Sequence, residues 1–109
     1  MVTDCKLIPS PEDPVCSFKA KTGPVTLKVD GTIGSVMIIK AEYDGKAIPN
    51  LPSSQIQFTV VAGRKNLDVV YVFSDPENGA GVLSEVCTPG GPLASVTADN
   101  PMVRYIICA

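Results

Sequence analysis

The chain is 109 residues long, with 45% apolar and 18% charged residues, which suits one compact core and is too short for two. Nine Lys and Arg stand against eleven Asp and Glu, a net charge of −2, so there is no basic footprint for nucleic acid or anionic lipid. The ten prolines and nine glycines lie between apolar runs, which excludes a disordered or collagen-like chain, and no run approaches the roughly 20 apolar residues of a membrane-spanning helix.

Two short apolar pieces, Cys5–Ile8 and Val15–Lys19, flank Pro9-Ser10-Pro11-Glu12-Asp13-Pro14. The dominant signal then becomes alternation at period two. Val25, Leu27 and Val29 alternate with Thr26 and Lys28, and Asp30-Gly31 reads as the turn that follows. Met37, Ile39, Ala41 and Tyr43 form the next inward set, ending at Asp44-Gly45, with Lys46-Ala47-Ile48 as the return strand. Asp-Gly between alternating runs points to a type I′ hairpin turn, whose central residues both need positive φ. Ile56, Phe58 and Val60 alternate with Gln55, Gln57 and Thr59, then Ala62-Gly63-Arg64-Lys65-Asn66 turns the chain. Leu67, Val69, Tyr71 and Phe73 come next and stop at Asp75-Pro76. Gly81–Cys87 and Val103–Cys108 read as further strands, with Leu93–Thr97 as a short edge strand between prolines.

No eleven-residue window carries the spacing of an amphipathic helix. The pattern predicts an all-β chain: an immunoglobulin-like β-sandwich of seven to nine short antiparallel strands, forming one domain over residues 1–109. The tryptophan that usually packs beside an inter-sheet disulfide in such sandwiches is missing, since the chain has no Trp.

Cys5, Cys16, Cys87 and Cys108 form an even set whose gaps of ten, seventy and twenty residues do not resemble the close-spaced knuckles of a zinc site. They read as two disulfides and therefore as the mark of an oxidising compartment: secreted, periplasmic or on the cell surface. Three pairings are open. Locality favours Cys5–Cys16 and Cys87–Cys108, each closing a short loop worth about 3 kcal/mol, with residues 1–20 as a braced segment packed on the sandwich. Met1-Val2-Thr3-Asp4 has neither the basic nor the apolar region of a signal peptide. Oxidised cysteines then imply a mature or excised segment.

With no His in the chain, nucleophile schemes and metal sites that need imidazole are excluded. Gly90-Gly91, flanked by prolines, reads as a turn and not as a phosphate cradle. The carboxylate pairs Glu12/Asp13 and Glu42/Asp44 fall in turns or on a solvent face, where nothing raises a pKa. No catalytic residue, cofactor or metal is therefore expected. Asp75, Glu77 and Asn78 lack the spacing of a calcium loop.

Two surfaces remain as candidates. Val36 and Ile38 on one strand, and Val70 and Val72 on another, occupy the face opposite the inward set, where a sandwich should be polar. They either form an apolar interaction surface, or a covering segment or β-bulge removes them from solvent. The loop at Pro9, Pro11, Glu12, Asp13 and Pro14, closed by Cys5–Cys16, would be a stiff acidic arch suited to recognition, or simply a guard on a sheet edge. Arg104 in the last strand would need Glu85 as partner if it faced inward. The expected function is a non-catalytic extracytoplasmic module that recognises a protein or glycan, or self-associates through the apolar face. The alternative is a small secreted inhibitor presenting the braced loop to an enzyme.

Overall fold

The computed structural model describes residues 4–109; Met1, Val2 and Thr3, on which the reading of the leader rests, lie outside them. None of the described residues is helical, and no helix is long and apolar enough to cross a membrane. Ten strands form two sheets: β1 (Leu7–Pro9), β2 (Phe18–Ala20), β3 (Gly23–Ile33), β4 (Val36–Tyr43), β5 (Lys46–Ala47), β6 (Gln55–Val60), β7 (Arg64–Phe73), β8 (Ala80–Glu85), β9 (Pro92–Thr97) and β10 (Met102–Cys108). The six-stranded sheet runs β1-β2-β10-β7-β4-β5 and the four-stranded sheet β6-β3-β8-β9. That is one strand more than the upper end of the expected range. One junction departs from the antiparallel rule: β2 runs parallel to β10, with Ile107 opposite Phe18.

The all-β, two-sheet expectation is met. The pairings β3–β6 and β4–β7–β10 are consistent with the B–E and C–F–G arrangement of an immunoglobulin-like sandwich. The β8–β9 hairpin differs. It pairs with β3 in the place that strand A takes in such a sandwich.

Alternation explains the core. Leu27, Ile38, Leu67, Leu83 and Ile107 are wholly buried between the sheets, each from an inward position of its strand. The Asp44-Gly45 hairpin forms as expected, with φ of 54° and 76°. Asp30-Gly31 does not turn. The ladder with β8 slips between Gly31 and Ile33, and the chain reverses only at Gly34, whose φ of 70° suits glycine.

The cysteine pairing is the main correction. The bonds are Cys5–Cys87 and Cys16–Cys108, with Cα separations of 4.9 and 5.9 Å. Neither local pair forms, because β1 and β2 pair with each other and bring Cys16 beside the end of β10 and Cys5 beside the end of β8. The closed loops are therefore long, 82 and 92 residues apart in sequence, and each bond is worth about 4.5 kcal/mol in the chain-entropy treatment. That exceeds the value expected for the local pairs. Glu85 adds a non-covalent tie: its carboxylate, 5% exposed, accepts hydrogen bonds from the backbone N–H of Lys6 at 3.0 Å and of Leu7 at 2.9 Å.

Inside the core the Tyr71 and Tyr105 hydroxyls meet at 3.0 Å, and Phe18 stacks on Tyr105 with ring centroids 5.3 Å apart. Burial pushes the pKa of both phenols above the ordinary value, and the neighbouring Tyr105 reinforces the effect on Tyr71. An unfolded tyrosine ionises near pH 10, while the folded pair still holds its protons there. Stability from the pair is thus complete below about pH 10 and falls as the pH rises further. Urea unfolding midpoints should drop between about pH 9 and about pH 11, and the drop should be smaller in a Tyr71→Phe, Tyr105→Phe variant. An equal drop in both proteins would contradict this origin.

Candidate functional site

The apolar outer face exists, but with different members. Val36 and Ile38 point into the core, at 5% and 0% exposure, and so leave the expected surface. The cause is a bulge: the β4–β7 register shifts between Ile38 and Lys40. Val36 and Ile38 face inward before it, Ala41 and Tyr43 after it. An unbroken alternation cannot accommodate both sets. The same bulge turns Met37 and Ile39 outward.

On β7, Val70 is half-buried and Val72 exposed on the outer face, as the alternation requires. Met37 lies opposite Val72, while Val70 lies between Lys40 on β4 and Met102 on β10. The patch is therefore Met37, Ile39, Val70, Val72 and Met102. It runs across three neighbouring strands of the six-stranded sheet. Met102, 72% exposed, gave no signal in the sequence because Pro101 hides the start of its strand's alternation.

A charged row borders the patch. Glu42, Asp68 and Arg104 are cross-strand neighbours on β4, β7 and β10. Arg104 faces outward and donates through Nε to Asp68 Oδ1 at 2.7 Å and through Nη2 to Oδ2 at 3.3 Å. Glu85, its expected partner, is instead occupied by the N-terminal backbone. Lys40 and Glu42 form a looser pair at 3.7 Å.

The proline loop is not closed by its own disulfide. It joins β1 to β2, and Cys16 at its end is tied to Cys108. Asp13 organises it from within: Oδ1 accepts from the N–H of Val15 at 2.8 Å and of Cys16 at 3.0 Å. The hydrogen bonds from Cys16 and Val15, with Lys19 nearby, hold the Asp13 carboxyl below its ordinary range. Pro9, Pro11, Glu12 and Pro14 are exposed along this loop.

Asp75 is engaged in its own turn. Asp75 Oδ1 accepts from the N–H of Glu77 and Asn78 at 3.1 and 3.0 Å, an Asx-type turn. Cys5, Glu85 and Cys87 are the metal-type residues that come together among the described residues. Both sulfurs belong to a disulfide and both Glu85 oxygens accept backbone hydrogen bonds, so the cluster is a structural tie and not a metal centre.

A groove of about 360 Å³ opens where β5 and β6 end their sheets, lined by Tyr43, Lys46, Ile48, Pro49, Phe58 and Thr59 among others. Periodicity marked its strands but not the gap, which exists because β5 is only two residues long.

Truncating Glu85 removes the acceptor of both the Lys6 and the Leu7 backbone N–H groups and leaves the buried Leu7 N–H without its partner, at a cost of about 1–3 kcal/mol. Glu85→Ala should lose at least that much in chemical denaturation while both disulfides still form. A loss within error would show that the carboxylate is not the tie. The two disulfides in a small β protein are consistent with an oxidising, extracytoplasmic setting. Comparison with protein-family models, curated proteins and solved structures gives no match.

Proposed function

We propose that the protein is a non-catalytic recognition and assembly module, secreted, periplasmic or at the cell surface, that works by contact through the outer face of β4, β7 and β10. The observation that carries this reading is the group of apolar side chains Met37, Ile39, Val70, Val72 and Met102 on a sheet face that should be polar in a free sandwich. Apolar patches rimmed by polar groups mark protein contacts. The engagement of Asp13, Asp75 and Glu85 in backbone hydrogen bonds favours binding over carboxylate catalysis.

A second copy of this chain fits the face. Glu42 and Arg104 stand at opposite ends of the charged row, with β7 between them. A two-fold axis along β7 would set Glu42 of each copy opposite Arg104 of the other and Val70 and Val72 opposite their own counterparts, with Asp68, held by Arg104 at 2.7 Å, on the axis.

Val72→Lys with Met102→Lys changes exposed positions, so stability should stay within about 0.5 kcal/mol. In sedimentation velocity the unaltered protein should gain mass with concentration and the double variant should remain monomeric. A parent protein that stays monomeric up to millimolar concentration would refute pairing through this face, and a large loss of stability in the variant would show that the face is packed within the fold.

A further inference from the structure

We infer that the free edge of β6 is a second binding site, one that takes up an extended peptide as an added strand. β6 ends the four-stranded sheet and, among the described residues, pairs only with β3. The direction of its backbone groups follows from the ladder. The N–H of Val29 donates to the carbonyl of Ser54 at 2.9 Å, and the register continues as Lys28 opposite Gln55 and Leu27 opposite Ile56. Ser54, Ile56, Phe58 and Val60 therefore aim their N–H and C=O groups at β3, while Gln55, Gln57, Thr59 and Val61 aim theirs at the open edge. The other side of β3 agrees: the N–H of Val86 donates to the carbonyl of Thr26 at 2.8 Å, so alternate residues of β3 serve β8.

Two of the four outward N–H groups are already satisfied. Gln55 donates to Ser53 Oγ at 3.1 Å and Val61 to the Tyr43 hydroxyl at 3.2 Å. Gln57 and Thr59, two residues apart between these capped ends, have no backbone partner among the described residues. That spacing is the repeat of a β ladder, and edge groups of this kind accept a main chain from outside.

The groove beside this edge selects the side chain. A residue placed opposite Phe58 in an added strand would point to the same face as Phe58, into the gap walled by Tyr43, Ile48 and Pro49. Phe58 and Tyr43 already meet there with centroids 4.9 Å apart. Residues placed opposite Gln57 and Thr59 would point to solvent. The occupant is thus an extended segment with a large apolar residue between two polar ones. Lys46 lines the groove and has no ion pair among the described residues, so an acidic residue two positions from the apolar one, on the same face of the added strand, completes the match. This site is independent of the outer face of β4, β7 and β10.

The probe is a blocked hexapeptide alternating threonine with phenylalanine and carrying one glutamate, tested by residue-resolved hydrogen exchange against the same peptide with N-methylated amides. The Gln57 and Thr59 amides should exchange freely in the protein alone and slow when the unmodified peptide is added. The methylated peptide should leave them unchanged. Thr59→Pro removes an N–H that the fold does not use, at an edge position where proline is tolerated, and should abolish binding. Lys46→Glu should weaken it by roughly twofold to fivefold. No slowing at millimolar peptide, or equal slowing by the methylated peptide, would overturn the inference. Protection that grows with protein concentration in the absence of peptide would also overturn it, by assigning the edge to a second copy.

Discussion

Two sulfur–sulfur bonds hold the start of the chain against its end, and the arrangement of the six-stranded sheet depends on them. β1 and β2 are three residues each, and a short strand pair of that kind is marginal in water on its own. Its apolar contribution is chiefly Leu7 and Phe18, buried in the core. Cys5–Cys87 fastens one end to the exit of β8, and Cys16–Cys108 fastens the other to the exit of β10. The Glu85 carboxylate then takes up the backbone donors of Lys6 and Leu7. Fastened this way, β2 lies along the C-terminal end of β10, opposite Ile107 and Cys108, and shortens the edge that β10 leaves open to uncontrolled pairing.

The two surfaces left open have separate physical origins. The outer face of β4, β7 and β10 is apolar because β4 carries apolar side chains on both faces, the unpaired residue at Ile39 deciding that Met37 and Ile39 meet solvent in place of Val36 and Ile38, and because Val70, Val72 and Met102 point the same way. The β6 edge is open at Gln57 and Thr59 because β5 stops after two residues, and the Tyr43 hydroxyl of the facing sheet reaches only the end of that edge, at Val61. One surface offers apolar area and the other offers main-chain hydrogen bonds. They would therefore select different partners.

Local features were legible in the sequence because their causes are local. Asp44-Gly45 demanded a hairpin from backbone conformation alone, and Leu27, Leu67 and Tyr71 declared their burial by alternation. Features that join distant residues were not. Loop entropy favours Cys5–Cys16, but only the folded pairing of β1, β2 and β10 decides which sulfurs meet, and it chooses partners 82 and 92 residues apart. Glu85 meets Leu7 across 78 positions, with no spacing to announce it. Val36 and Ile38 were assigned to the wrong face because a bulge inverts parity without leaving a mark in hydrophobicity. Val70 and Val72, beyond its reach, kept theirs.

Trypsin cuts after Lys6, Lys19, Lys65 and Arg104, which places Cys5, Cys16, Cys87 and Cys108 on four different peptides. Mass spectrometry of a non-reduced digest should therefore find the peptide of Cys5 joined to that of Cys87, and the peptide of Cys16 joined to that of Cys108. A Cys5–Cys16 adduct, or four unlinked peptides, would contradict the covalent frame on which this architecture stands.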